Sequence, residues 1–265
     1  MEMFAQEFFV RALIVGILIG ISSSYFSAFV VQRKLSFIGS GLSHAAFGGV
    51  ALGLFLNIEP LFIAMPFTLI VSVLIFFLNN KTKLSTDTII GVVFSFAVAM
   101  GIILLALKDS YSQDAYAYLF GSILTVSTAD IIISSVLVIL TLLSFVFYWE
   151  RWAYSTFDSE LAKAELLPVE RDDYIFAGIL GLIIALAIKI VGIILISAFL
   201  VIPGAAAKMI SGTFIKLTIN SIIIGISTIL AGLLLSYQMD LPSGALIIII
   251  QSILFLIVTI YSKIE

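Results

Sequence analysis

The run YIFAGILGLIIALAIKIVGIILISAFLVIPGAAAKMI, Tyr174–Ile210, decides the architecture of this chain. It is apolar almost throughout, so it belongs in a bilayer, yet it is too long for one crossing, which takes about 20 residues. Its middle, IKIVG, carries Lys189 and Gly192. A charge and a glycine at that depth predict two helices joined by a tight turn, with a re-entrant piece as the alternative. Working outward, further spans read at about Phe8–Val31, Phe37–Leu56, Leu61–Leu78, Thr88–Leu107, Ile131–Trp149, Phe214–Tyr237 and Ala245–Tyr261. The expected fold is all-α: a polytopic transmembrane helix bundle of nine spans, or eight if the long run re-enters, in one domain over residues 1–265.

Composition supports this. Hydrophobic residues make up 62% of the chain and charged residues 11%, with a mean hydropathy of +1.26. That is more apolar surface than a soluble core can bury. There is no cysteine, which excludes disulfides and thiolate metal ligands. The net charge of −3 gives no reason to expect a nucleic-acid partner. The start, MEMFAQEFFVRALIVGILIG, lacks a basic leader and a small-residue cleavage site and reads as a retained first span. With the N-terminus outside, Arg33, Lys34, Lys81, Lys83, Arg151, Lys163, Arg171, Lys208, Lys216 and Lys263 fall inside, against Arg11, Lys108 and Lys189 outside. The positive-inside rule therefore predicts that orientation, with a cytoplasmic C-terminus.

Few polar residues interrupt the spans. In RKLSFIGSGLSHAAFGGVALGLFL, Arg33–Leu56, stands the single histidine, His44, four residues after Ser40 and so on the same helix face. Gly48 continues that row, and Gly41, Ala45, Gly49 and Gly53 form the adjacent one. Small rows permit close approach by a neighbouring helix or line a narrow pathway. Neutral imidazole binds divalent transition metals, and a histidine can equally be satisfied by a hydroxyl or a carbonyl, so spacing leaves packing and metal handling both open. Pro203 and Gly204, in LISAFLVIPGAAAK, should bend their helix, as a kink or as a gate hinge. Asp87 reads as helix-start electrostatics. Asp240, in QMDLPSGA, reads as a turn residue or as a point on a cation's way in.

Two segments lie outside the spans. Arg151–Asp173 is the longest inner polar stretch, and FDSELAKAELLP within it predicts a short helix, capped by Asp158, favoured by Glu160 and ended by Pro168. The outer segment Lys108–Ser122 offers Tyr111, Tyr116, Tyr118 and Phe120 for an interface belt or a docking surface. There is no GxxxxGK[ST] phosphate loop, no HExxH and no nucleophile elbow. Polar groups this few and scattered argue against an enzyme of the membrane interior. The spans also lack the paired carboxylates of an ion-coupled secondary transporter.

VVQRKLSFIGSGLSHAAFGGVALG resembles the second-span signature of the ABC-3 family, the permeases of bacterial ABC importers for zinc, manganese or iron. The likeness continues in order through DTIIGVV (Asp87–Val93), DAYAYLFGSIL (Asp114–Leu124), VGIILISAFLVIPGAAAK (Val191–Lys208) and DLPSGALIIII (Asp240–Ile250). The resemblance implies an inner-membrane permease homodimer, a cytoplasmic ABC ATPase that hydrolyses the ATP, and an extracytoplasmic metal-binding protein. The metal is cargo, and no resident cofactor is implied. His44 and Ser40 would then touch the passing ion. Asp158, Glu160, Leu161, Ala162, Ala164, Glu165 and Leu166, within a polar helix over Asp158–Leu167, would form the coupling segment that docks on the ATPase. Two departures stand out. The family often has an aspartate where this chain has Ser40, and a glycine where it has Leu166, which points to a longer coupling helix or a more apolar contact. A permease for a chelated metal or cofactor is the alternative within transport, though such permeases are typically longer; a substrate-free scaffold is a third reading.

Overall fold

The structure, a computed structural model, describes residues 6–108, 126–193 and 196–262, with only the backbone of 189–191. The aromatic residues Tyr111, Tyr116, Tyr118 and Phe120, and the block Asp114–Leu124, lie outside the described residues. Among the described residues ten helices follow one another: α1 Glu7–Gln32, α2 Ile38–Leu56, α3 Pro60–Lys81, α4 Thr86–Leu107, α5 Thr128–Phe157, α6 Ser159–Ala164, α7 Val169–Val191, α8 Ile196–Ile210, α9 Phe214–Met239 and α10 Ser243–Ser262. No strand occurs among the described residues. Seven of these helices, α1 to α5, α9 and α10, are long and apolar enough to cross a membrane.

The long run breaks where its glycine stands. Gly192 ends α7 at φ 88°, a backbone conformation that favours glycine. The following α8 has 15 residues, about 22 Å of helix, short of the ~30 Å hydrocarbon core. Other ends have similar local causes. Asn57 closes α2 in the left-handed region and Pro60 opens α3 three residues later. The Ser127 N–H donates to Asp130 Oδ2 at 2.7 Å at the start of α5.

α1 is the hub, packed on α9, α8, α5 and α7. Its polar stretch SSSYFS makes the connections. Thr141 of α5 donates to Ser22 Oγ at 3.1 Å, and Ser221 of α9 donates to the Ser24 carbonyl at 2.7 Å. The Gly204 N–H of α8 donates to Ser27 Oγ at 2.8 Å. In lipid, where apolar burial does not drive helices together, such hydrogen bonds and close contacts hold a bundle. α2 lies between α3 and α4, and α3 packs on α7.

At the end of the bundle that carries Arg33, ion pairs take over. Arg33 is largely buried and bonds Asp173 at 2.7 Å and Thr156 at 2.8 Å, with its guanidinium 4.7 Å from the Phe176 ring centroid. Arg151 pairs with the buried Asp172 at 2.6 Å, and Trp152, fully buried, donates Nε1–H to the Asp172 carbonyl at 3.1 Å. Burial pushes the Asp172 carboxyl above the ordinary range, and the Arg151 and Arg171 guanidiniums pull it back.

The short polar helix corrects the sequence reading. Asp158 does cap it, accepting from the Leu161 N–H at 2.9 Å, but α6 stops at Ala164 and not at Pro168. Leu166 adopts φ 61°. Its N–H bonds the Lys163 carbonyl at 3.0 Å and that of Leu167 bonds Ala162 at 3.1 Å, which is a Schellman ending. The turn that the resemblance assigns to a glycine is thus kept by a leucine, and the helix is not lengthened.

Candidate functional site: the open face of α2

Nearly every residue of the first half of α2 is buried; from Ile38 to Val50 only Ser40, His44 and Phe47 are partly open. They are spaced i, i+4, i+7, one stripe along the helix. The glycine rows explain the rest. A Cβ on Gly41 would strike Ile90 of α4, and one on Gly48 would lie 2.8 Å from the Ala97 carbonyl oxygen. A Cβ on Gly49 would lie 2.8 Å from Ala64 Cα, and one on Gly53 2.7 Å from Pro60 Cα, both of α3. The small residues give clearance to two neighbouring helices, and the histidine stripe is what remains uncovered.

His44 Nδ1 is 2.8 Å from the Ser40 carbonyl oxygen. A carbonyl only accepts, so the neutral ring carries its proton on Nδ1 and presents the Nε2 lone pair. Nε2 makes no hydrogen bond among the described residues. The ring stands edge-on to Phe94 of α4, with centroids 5.1 Å apart. A buried carbonyl that fixes the tautomer is the usual support for a metal-binding imidazole. Ser40 therefore contributes its carbonyl to the ring and keeps its hydroxyl for the groove. That groove, about 310 Å3, runs between α2 and α4 and is lined by Phe37, Ser40, Gly41, Asp87, Ile90, Gly91 and Phe94. No group of three or more His, Cys, Asp or Glu side chains able to hold a metal occurs among the described residues. The arrangement suits brief contact with an ion and not storage.

The other predicted residues lie elsewhere. Asp240 caps α9 in the left-handed region at φ 52° and is exposed, the turn role expected of it. Pro203 and Gly204 are buried, and the Gly204 backbone is clamped on Ser27. The same helix reaches α2: a Cβ on Gly39, next to Ser40, would lie 3.1 Å from Ser197 Cα. In the α6 segment Ala162 is fully buried while Leu161 and Leu166 are exposed, Leu166 at 91%. Glu160, Ala164 and Glu165 are exposed beside them. Sequence reasoning missed two features. Asp87 shares the groove with Ser40, and Arg33 does more than mark an inner loop. The i, i+4, i+7 spacing of Asp87, Gly91 and Phe94 was the available signal for the first.

The sequence profile described as the ABC 3 transport family matches residues 5–262. The chain is 31% identical over 251 residues to the high-affinity zinc uptake system membrane protein ZnuB of Haemophilus influenzae, covering 95% of this chain and 96% of that one. It is 31% identical over 256 residues to the manganese transport system membrane protein MntC of Listeria monocytogenes, covering 97% and 91%. Among solved structures, PsaBC from Streptococcus pneumoniae in complex with Fab superposes with a TM-score of 0.84 at 31% identity, covering 96% of this chain and 91% of that chain.

Proposed function

Because the chain belongs to the ABC 3 transport family, we propose that it is the membrane-spanning permease of an ATP-driven importer for divalent transition-metal ions, zinc, manganese or iron. It is a multi-pass protein of a bacterial cytoplasmic membrane and a transport subunit; ATP hydrolysis belongs to a partner ATPase. The observation that carries the reading is the open stripe of α2, where His44 offers a free Nε2 lone pair beside the Ser40 hydroxyl. The names of the zinc and manganese relatives support the cargo class.

Counting α7 and the short α8 as crossings beside the seven longer helices gives nine, with the N-terminus outside and the C-terminus cytoplasmic. The meeting of Arg33, Arg151, Asp172 and Asp173 at one end of the bundle supports that inner side. The exposed face of the α6 segment, from Asp158 to Leu166, then presents Leu161 and Leu166 to the ATPase, while buried Ala162 ties it to the bundle. Closure of the ATPases would move α6 with the ends of α5 and α7, which Arg33 joins to α1. α1 holds α8 through Ser27, and α8 touches α2 beside Ser40. Pro203–Gly204 is the pivot in that chain of contacts. A second copy of the permease and an extracytoplasmic metal-binding protein complete the assembly. His44 binds weakly enough to let go, because a neutral imidazole and one hydroxyl leave most of the ion's coordination to water.

The test is uptake by the reconstituted complex with zinc, manganese and iron in competition. ATP-dependent accumulation of at least one of them is expected; none in an assembled, ATP-hydrolysing complex would defeat the reading.

A further inference from the structure

The groove beside His44 has a second wall. Asp87 of α4 is the one charged residue among those lining it. It makes no ion pair or side-chain hydrogen bond among the described residues. It is not the cap of its helix, because Ser85 holds that position and accepts from the Thr88 N–H at 3.2 Å.

The packing register places this carboxylate relative to the imidazole. Gly41 faces Ile90, the His44 ring faces Phe94 and Gly48 faces Ala97, so α2 and α4 run parallel. Asp87, Gly91 and Phe94 follow at i, i+4, i+7 on the groove side of α4. Asp87 therefore lies about 10 Å along the helix from Phe94, towards the end that carries Arg33. Ser40 stands about 6 Å from His44 in the same direction. Gly91 puts no side chain between, and a Cβ there would meet nothing within 4 Å. His44, Ser40 and Asp87 follow one another in that order along the α2–α4 pair, and the last two line the groove itself.

We propose that Asp87 is a second station for the transported divalent cation, which receives it from His44 past the Ser40 hydroxyl and passes it to water at the inner end. It provides, one step further in, the negative charge that Ser40 does not. A doubly charged ion leaving a neutral imidazole between apolar helices needs a counter-charge, and a lone carboxylate supplies one. The N-terminal dipole of α4 opposes cation binding at the same spot, which keeps the station weak enough to empty. The direction of travel rests on the importer reading above.

The experiment uses the complete importer in proteoliposomes, with Zn2+ and with Mn2+ as separate probes. Assembly is followed by size exclusion and ATP hydrolysis is measured without metal. Asp87→Asn should lower uptake about tenfold, the order expected for removing one counter-charge, with assembly and metal-free hydrolysis retained. Asp87→Glu should keep most of the uptake. Thr88→Glu combined with Asp87→Asn returns an acid to the first turn of α4 and pairs it with Ser85 in a capping box. This double variant should stay low while Thr88→Glu alone transports normally, and Ser40→Asp with Asp87→Asn should recover. Wild-type uptake by Asp87→Asn would overturn the proposal. So would recovery by the Thr88→Glu double variant, which would leave Asp87 only a helix-end role. A wild-type complex that moves neither ion would instead overturn the importer reading for these ions, and with it the station's cargo.

Discussion

Gly204→Ala tests the clamp between α8 and α1. The new Cβ would sit 2.5 Å from the Ser27 carbonyl oxygen, 2.6 Å from Ser27 Oγ and 2.7 Å from the Ser27 carbonyl carbon. Two of these atoms are backbone, so no rotamer change relieves the contact. Reaching an ordinary separation of about 3.5 Å requires the helices to part by roughly 1 Å. Overpacking of this kind costs about 1–3 kcal/mol. The Gly204 N–H to Ser27 Oγ bond, 2.8 Å here, is stretched as well, for about 0.6 kcal/mol more in a membrane bundle. Alanine returns up to about 1 kcal/mol in helix propensity. The net loss should be about 1–3 kcal/mol, read as a lowered unfolding midpoint of the purified permease in detergent. Gly178→Ala is the control, since a Cβ there meets nothing within 4 Å, and it should be neutral or stabilising. Ser27→Ala removes only the acceptor, and its effect should add less than fully to that of Gly204→Ala, because the two share one contact. Because α8 touches α2 beside Ser40, Gly204→Ala should also slow metal uptake. A Gly204→Ala protein as stable as Gly178→Ala would refute the clamp.

Other positions give distinct outcomes. Arg33→Ala leaves Asp173 without its partner, together with the bonds to Thr156 and Ser155. Breaking such a pair costs about 3 kcal/mol when buried and less at this partly open site. The expected signature is uncoupling, in which ATP hydrolysis by the complex persists while uptake falls; parallel loss of both would make Arg33 a stability residue only. Arg151→Ala should lower the unfolding midpoint by stranding the buried Asp172 carboxylate, and adding Asp172→Asn should restore part of it. Leu166→Gly should raise stability by about 1 kcal/mol, since Leu166 bears the left-handed strain at φ 61° without buried contact. A fall in stability would show that the leucine side chain does more within the fold than its exposure implies.

Seven of the span positions were legible because long apolar runs in this chain have little else to do, and the break at Gly192 was legible because a charge and a glycine share the middle of one run. The His44 stripe could be drawn from spacing, but whether its glycine neighbours made a path or a packing surface could not. That answer depends on α3 and α4 arriving on both sides, at Gly49, Gly53, Gly41 and Gly48. The end of α6 was misjudged for a physical reason. Nothing in the residue types around Leu166 asks for a left-handed turn, and the backbone bonds to Lys163 and Ala162 impose it. Asp87 does stand in the first turn of α4, as its helix-start reading expects, but its relation to Ser40 exists only once α2 and α4 are set parallel in register. Arg33 looked like one more inner basic residue, and its place among Asp173, Thr156 and Phe176 comes from three helices that meet far apart in sequence.

We propose that the free imidazole nitrogen on α2 touches the cargo. The direct measurement is metal uptake by His44→Ala permease in an assembled complex with its ATPase. Uptake should be lost while dimer assembly and ATPase docking survive, because the ring contact of His44 among the described residues is edge-on to Phe94 and its hydrogen bonds there stay within its own helix turn. Uptake at the wild-type rate in such a complex would contradict it and return His44 to a packing role.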